Sequence, residues 1–343
     1  MKVCLLTRHF GPSGAGIGRV SWEILRGLRN EGYGVTAVST IGNSLVSYLA
    51  YSLVGIRTHI PNNCDIYHAL TPIESLWIPK DKAVVTFHDL FPIAHKGKQG
   101  AGIGGSRVKQ AIASRYFGHC AKVATQCRII ACNSKQTRQD IVQYLGVSSD
   151  RVHVVKLGIP DSLEPKPKPD NIFRIGYLGQ LDRRKRVHLL VDAFKQSSLN
   201  AELVIGGTGS ERGVLERLAG SDSRIRFLGF VPEEELASFF NSLDIFALPT
   251  AVEGYGLPIV EAMACKKPVV ILDDAVIPEE VKSHCIVTGN LGGLLKVWDS
   301  MKMPAQFYED NYTFAKGHSW SKTVSGYIKL YEGVLNAQQA NMV

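Results

Sequence analysis

VCLLTRHFGPSGAGIGRVSWEILRGL (residues 3–28) sets an apolar run, a glycine loop and an amphipathic run in that order. The run VCLLT suits a buried strand, and the spacing in VSWEILRGL (20–28) suits a helix. Strand, glycine loop and helix together commonly hold phosphate. The dinucleotide fingerprint G-x-G-x-x-G fits poorly. Gly14 and Gly16 match it, but the third glycine would fall at Arg19. The second strand, VTAVST (35–40), also ends without the acid that takes a ribose. NAD and FAD are therefore set aside. A tight turn and a nest of backbone amides for another anion both stay open.

Outward from that stretch the pattern alternates. Strands are expected at 2–7, 35–40, 65–69, 83–87, 128–132 and 152–159, with helices at 18–31, 43–54, 105–124 and 135–145. PDSLEPKPKPDN (160–171) is rich in proline and charge and reads as a linker. The pattern then restarts with strands at 172–179, 201–206, 224–228, 244–248 and 268–272, and helices at 187–195, 211–219, 233–241 and 258–264. Such alternation implies two doubly wound parallel α/β sheets, 1–165 and 166–320, with a ligand cleft at the carboxyl ends of their strands. The final run, TVSGYIKLYEGVL (323–335), follows no strand, so the segment 321–343 is expected to pack back on the first domain.

The chain has 343 residues, 45% apolar and 20% charged, which describes a soluble globular protein of two domains. Its seven cysteines include no C-x-x-C pair, so no zinc or redox motif appears, and a reducing cytoplasm is the simple expectation. Residues 1–10 read as a strand and not a signal peptide. No apolar run reaches the roughly 18 residues that span a bilayer. The net charge of +8 is uneven. Residues 1–165 carry 19 Lys and Arg against 10 Asp and Glu, or +9, and the remainder carries 20 against 21, or −1. Seven bases and no acid fall within 96–128. A solvated helix face explains that run. So does a first domain that meets an anionic lipid surface or acceptor. Few aromatics interleave it, which argues against nucleic acid.

The chemistry concentrates in PTAVEGYGLPIVEAMACKKPVV (249–270). A strand ends at a loop holding Gly254 and Gly256, and Pro258 stands where a helix would begin. The amides of Gly254, Tyr255, Gly256 and Leu257 then lie at a positive helix end suited to a diphosphate. Glu253 and Glu261 flank them, and carboxylates accept well from neighbouring hydroxyls. A sugar at one acid, a ribose at the other and a diphosphate between describe a nucleotide-sugar.

Glu253 through Ala264 reads E-G-x-G-x-P-x-x-E-A-x-A and resembles the corresponding stretch of the retaining glycosyltransferases of family 4. These have the GT-B fold of two Rossmann-like domains facing a central cleft. Further segments are similar in order and spacing: GAGIGRV (14–20), VVTFHDLFPI (84–93), NSKQTRQDI (133–141), GYLGQLDRRKRVHLLVDAF (176–194), LVIGGTGSERGVL (203–215), IRFLGFVPEEEL (225–236) and the closing HSW (318–320).

The resemblance implies transfer of a hexose from a nucleotide-sugar with retention of configuration. GDP-mannose is favoured by the FHDLFPI segment, with UDP-glucose or UDP-N-acetylglucosamine next. Arg184 and Lys185 would neutralise the leaving diphosphate in place of a metal, since the chain has no D-x-D. Gln180 stands where the family often has arginine, and Arg183 or Arg184 would compensate. Glu253 would hold sugar hydroxyls. His88, oriented by Asp89, would contact the transferred sugar through a hydroxyl or support positive charge at its anomeric carbon. Gly16 and Gly18 would lie by the donor phosphates, and Arg19 and His9 on the acceptor side. Gly207 and Gly209 would let the backbone approach the ligand, and Val231 would present main-chain groups to the base. No second acid is placed as a nucleophile, which favours front-side attack over double displacement. The acceptor would be a glycan, lipid-linked or otherwise anionic, met in the cytoplasm or at the inner face of a membrane, and a soluble acceptor stays open. An epimerase of the same fold and a non-catalytic nucleotide-sugar subunit are the rivals.

Overall fold

The computed structural model describes residues 1–11, 16–39, 56–94, 107–298 and 303–340. Of these, the residues up to Gly158 and from Trp320 onward form one unit, and Ile159–Ser319 form the other.

The first unit is built on β1 (Lys2–Thr7), β2 (Gly34–Ser39), β3 (Ile66–Ala69), β4 (Ala83–Phe87), β5 (Ile129–Cys132) and β6 (Val152–Val154). Its longer helices are α1 (Ile17–Asn30), α2 (Arg107–Ala124) and α3 (Lys135–Leu145). All strand pairings are parallel, in the order β2-β1-β3-β4-β5-β6. β3 and β4 are buried along their whole length, as unbroken apolar strands in a sheet covered on both faces must be. Ser134 opens α3 by accepting from the Thr137 amide at 3.0 Å, and Gly146 closes it in the left-handed region.

The second unit holds β7 (Phe173–Leu178), β8 (Ala201–Gly206), β9 (Ile225–Gly229), β10 (Ile245–Leu248), β11 (Val269–Leu272) and β12 (Ile286–Thr288). Its longer helices are α4 (Val187–Lys195), α5 (Arg212–Ala219), α6 (Leu236–Asn241), α7 (Leu257–Ala264), α8 (Leu291–Val297) and α9 (Ala305–Lys316). The sheet is again parallel, in the order β9-β8-β7-β10-β11-β12. In the first sheet the strand order reverses between β1 and β3, and in the second between β7 and β10. Open α/β sheets bind ligands beyond the carboxyl ends of the strands at such a reversal.

The last helix, α10 (Trp320–Ala340), belongs to the first unit. Its Tyr331 hydroxyl lies 2.7 Å from His68 Nδ1, and His68 Nε2 lies 2.8 Å from Thr86 Oγ1. Tyr327 reaches the same threonine at 3.1 Å. The network satisfies polar groups on β3 and β4 that the helix itself buries.

Several sequence expectations need revision. The strand expected over 152–159 stops at Val154, because the Lys156 carbonyl turns to the Thr323 hydroxyl of α10 at 2.8 Å. The stretch 160–171 does not hang free. Asn241 accepts from the Lys166 amide at 2.8 Å and donates to the Glu164 carbonyl at 3.0 Å, laying the proline-rich strip along the second unit. The division between units falls at Gly158/Ile159, where the sequence reading put it after 165. β12, α8 and α9 were not anticipated. The helix expected at 43–54 lies outside the described residues. Among the described residues no helix is long and apolar enough to cross a membrane.

Candidate functional site

At the reversal of the second sheet, the loop after β7 is stitched to the loop after β10. Asp182 accepts from the Lys185 amide at 3.1 Å and so starts a single 3-10 turn, Arg183–Lys185. Arg186 then enters the left-handed region at φ 50°. Its guanidinium donates to the Pro249 and Thr250 carbonyls at 2.9 and 2.8 Å, and to both carboxylate oxygens of Asp274 at 2.7 Å. The Ala251 amide donates to the Arg184 carbonyl at 2.9 Å. The planar fork of an arginine suits this bidentate grip.

Inside that frame sit three of the expected residues. The Lys185 ammonium donates to Glu253 Oε1, and both side chains are buried. Arg184 donates to the Val252 carbonyl at 2.8 Å and stands 3.9 Å from Glu253 Oε2. Burial works to raise the Glu253 carboxyl, but the charges of Lys185 and Arg184 outweigh it and hold the group below its usual value. Burial pulls the Lys185 amine down against the attraction of Glu253. Glu253 is thus an anion already held by a cation, 68 residues away in the chain.

Beyond Glu253 the chain forms the expected glycine loop. Gly256 adopts φ 90°, which a side chain resists, and caps α7. Leu257, not Pro258, is the first helical residue, and Pro258 is the second. The amides of residues 254–257 have no main-chain acceptor among the described residues. Glu261 is buried at 1% exposure within α7, under cover instead of open to solvent. Tyr255 is buried and its hydroxyl meets His318 Nε2.

Arg183 is 87% exposed and turns toward Glu211 at 3.6 Å, so Arg184 alone of the pair reaches the Glu253 carboxylate. Gln180 is exposed, and its carbonyl accepts from the Tyr177 hydroxyl at 2.7 Å. Gly207 and Gly209 serve the fold itself. A Cβ on Gly207 would lie 1.8 Å from the Gly179 carbonyl oxygen, and one on Gly209 would lie 2.3 Å from that of Leu181. These glycines let the turns after β7 and β8 press together, a within-chain reason for glycine beside the expected approach to a ligand. Val231 is buried beside Gly206.

In the first unit, His88 follows β4 and is buried. Its Nε2 donates to the Leu70 carbonyl at 3.0 Å, and its own carbonyl accepts from Asn133 at 2.9 Å. Burial drops the imidazole to about 4, so it is neutral near pH 7. A neutral ring is compatible with either expected role, contact with a sugar hydroxyl or support of positive charge at the anomeric carbon. The Leu70 carbonyl orients it, while Asp89 accepts from the Phe91 amide at 3.2 Å. His9 is exposed and lies against Gly11 and Gly18, where a Cβ would come within 3.0 and 3.1 Å of its ring. Gly16 caps α1, with Arg19 in its first turn. Residues 12–15 of the glycine loop, Gly14 among them, lie outside the described residues. Among the described residues no cluster of three His, Cys, Asp or Glu could hold a metal ion.

Residues 159–292 match the family model described as glycosyl transferases group 1, and residues 42–163 match glycosyltransferase family 4. The O-antigen chain mannosyltransferase B of Escherichia coli is 28% identical over 173 residues, which are 45% of this chain and 45% of that relative. The match thus spans less than half the relative's length. The sucrose-phosphate synthase of Thermosynechococcus elongatus superposes with a TM-score of 0.77 at 15% identity, covering 98% of this chain and 99% of that one. Anabaena HepE, solved in complex with UDP and glucose, superposes at 0.72 with 18% identity, covering 97% of this chain and 100% of that one. At these identities the structural likeness carries the fold, which is GT-B. The two family models meet at residues 159–163, where one parallel sheet gives way to the next: the chain carries a glycosyltransferase family 4 domain followed by a glycosyl transferases group 1 domain.

Proposed function

We propose that this protein transfers a hexose from a nucleotide diphosphate sugar to a glycan or lipid-linked acceptor with retention of configuration, and that GDP-mannose is the donor. The observation that carries the reading is the meeting of Arg184, Lys185 and Glu253 with the amides of 254–257 at the β7/β10 reversal. Cleavage of a sugar–phosphate bond builds negative charge on the departing diphosphate. Preorganised cations and amides stabilise that charge without reorganising. Arg184, Lys185 and the loop amides supply both, and the transfer proceeds without a metal.

A carboxylate has about four lone-pair sites. Lys185 takes one on Glu253, which leaves acceptors for sugar hydroxyls. A carboxylate so stabilised by an ammonium is a poor nucleophile, which favours front-side attack, with a donor phosphate oxygen taking the acceptor proton. His88, with its Nε2 proton given to Leu70, keeps Nδ1 as a hydroxyl acceptor. The mannosyltransferase relative supports a mannosyl donor, and the HepE complex with UDP and glucose supports UDP-glucose as the second reading.

An anionic acceptor, met at the cytoplasmic face of a membrane, suits the +9 of residues 1–165. It also suits a groove of about 670 Å³ in the first unit, whose lining includes Lys135, Arg138, His153, Lys156 and Lys329 with the acid Asp150.

Thermal unfolding with GDP-mannose, UDP-glucose and UDP-N-acetylglucosamine tests the donor, because a ligand of the native state raises stability by mass action. GDP-mannose is expected to give the largest shift, with or without a chelator. A larger shift from either uridine donor overturns the mannosyl assignment. An altered sugar formed from donor alone would make the protein an epimerase, and inversion at the anomeric carbon, read by NMR of the product, would overturn retention.

A further inference from the structure

The loop 254–257 lacks a main-chain ladder to fix it, since its amides have no main-chain acceptor among the described residues. Its shape must be set by its flanks and its side chains. On the helix side, left-handed Gly256 caps α7. On the strand side, the Glu253 amide donates to the Val276 carbonyl at 2.9 Å. Between these points Tyr255 turns inward to 3% exposure and meets His318, itself 4% exposed.

The direction of that hydrogen bond follows from the other ring nitrogen. His318 Nδ1 lies 2.9 Å from the Phe314 carbonyl, so Nδ1 carries the proton and donates it. Nε2 is then an acceptor, and the Tyr255 hydroxyl is the donor. His318 is in turn braced by rings. Phe314 packs against it at 4.8 Å and stacks on His284 at 4.2 Å. Asn311 holds His284 at both its ring, 2.9 Å, and its carbonyl, 3.0 Å. A tyrosine in the loop is thereby tied to a histidine locked by α9.

We propose that the Tyr255–His318 hydrogen bond is a positioning device that holds the 254–257 amides in the arrangement that receives a diphosphate. The inference rests on the reading of this loop as the diphosphate site. Neither side chain touches the diphosphate: Tyr255 acts through the backbone it carries, and His318 acts through Tyr255. A buried hydroxyl that loses its acceptor must find another, and the loop shifts to provide it.

The test is calorimetric binding of UDP and GDP, and of uridine and guanosine, to the full chain, with thermal unfolding measured on each variant. In Tyr255→Phe, affinity for the better-bound diphosphate is expected to fall about tenfold, while affinity for its nucleoside stays within twofold. His318→Ala should give the same split, and the double variant should be no weaker than either single change, because both remove one bond. His318→Gln, which keeps an acceptor facing the hydroxyl, should recover part of the affinity and guards against a poorly folded alanine variant. Diphosphate affinity within twofold of wild type in Tyr255→Phe overturns the inference and leaves the donor-site reading standing. So does an equal loss for diphosphate and nucleoside, which marks general loosening. A wild-type protein that binds neither diphosphate overturns the donor-site reading itself, and this inference with it.

Discussion

Glu253 and Glu74 are both glutamates buried just beyond the carboxyl end of a parallel sheet, and they titrate in opposite directions. Glu253 follows β10 and is held low by Lys185 and Arg184. Glu74 follows β3, in the turn Pro72–Ser75, and burial pushes it up to about 7. The Thr71 hydroxyl donates to one of its oxygens, and the other has no hydrogen-bond partner among the described residues. The second sheet gathers opposite charges at its reversal. The first places a neutral imidazole at the end of β4 and leaves its nearby carboxyl with little compensation. The same architecture thus sets a buried ion pair at the end of one sheet and a neutral imidazole with a raised carboxyl at the end of the other. Burial alone does not decide the charge state of an acid; the neighbours across the loop do.

The contrast breaks first at Glu253. Glu253→Gln is expected to lower turnover about 100- to 1,000-fold in a transfer assay, and a loss below tenfold would remove it from the reaction. Next in size is the buried pair as a structural element. Lys185→Met strands a carboxylate and should cost about 3–5 kcal/mol in urea unfolding. Adding Glu253→Leu should return much of that, and a single-variant cost under about 1 kcal/mol would mean the ion is solvated after all. Gly207→Ala is expected to destabilise by about 2–4 kcal/mol in the same measurement, because φ is 127° and the Gly179 carbonyl occupies the space.

Glu74 gives a change of opposite sign. Its folded value, about 7, lies above the unfolded 4.5, so the native state binds the extra proton and stability falls as pH rises between them. Glu74→Gln lacks that slope. It should match wild type near pH 4.5 and exceed it by roughly 2–3 kcal/mol at pH 8, read from urea midpoints. A variant less stable than wild type at pH 8 would show that Glu74 is charged and paired. The smallest effect is spectroscopic: the His88 ring resonances should not move between pH 6 and 8, since the group titrates near 4.

Most strands were legible because parallel strands covered on both faces are unbroken apolar runs: AVVTF (83–87) and VVIL (269–272) are buried at every position. β12 escaped notice because three half-exposed residues at a sheet edge make no such run. α9 escaped because only Asn311 and Ala315 of its twelve residues are buried. In the site, the glycine loop and its flanking acid could be read locally, being contiguous. The partner of that acid could not, since Lys185 meets Glu253 only once β7 and β10 are adjacent. Within RRKR (183–186) the four bases look alike in sequence, yet the structure divides them. Arg183 faces solvent, Arg184 and Lys185 reach Glu253, and Arg186 ties the two loops together through the Pro249 and Thr250 carbonyls. A left-handed backbone at an arginine leaves no trace in composition. His318 and Tyr255 show the same limit, as two ordinary residues 63 positions apart become a buried pair.

The tie between His68 and Tyr331, 263 residues later, has a bearing on how the chain is made. As it leaves the ribosome, β1 through β6 emerge long before α10. His68 and Thr86 must wait for tyrosines translated 263 and 241 residues after them. Among the described residues the second unit is the single stretch Ile159–Ser319, which precedes α10, so the half synthesised earlier is the half completed later. Through that interval the face that α10 will cover stays open, an invitation to chaperones that the later-born half does not extend.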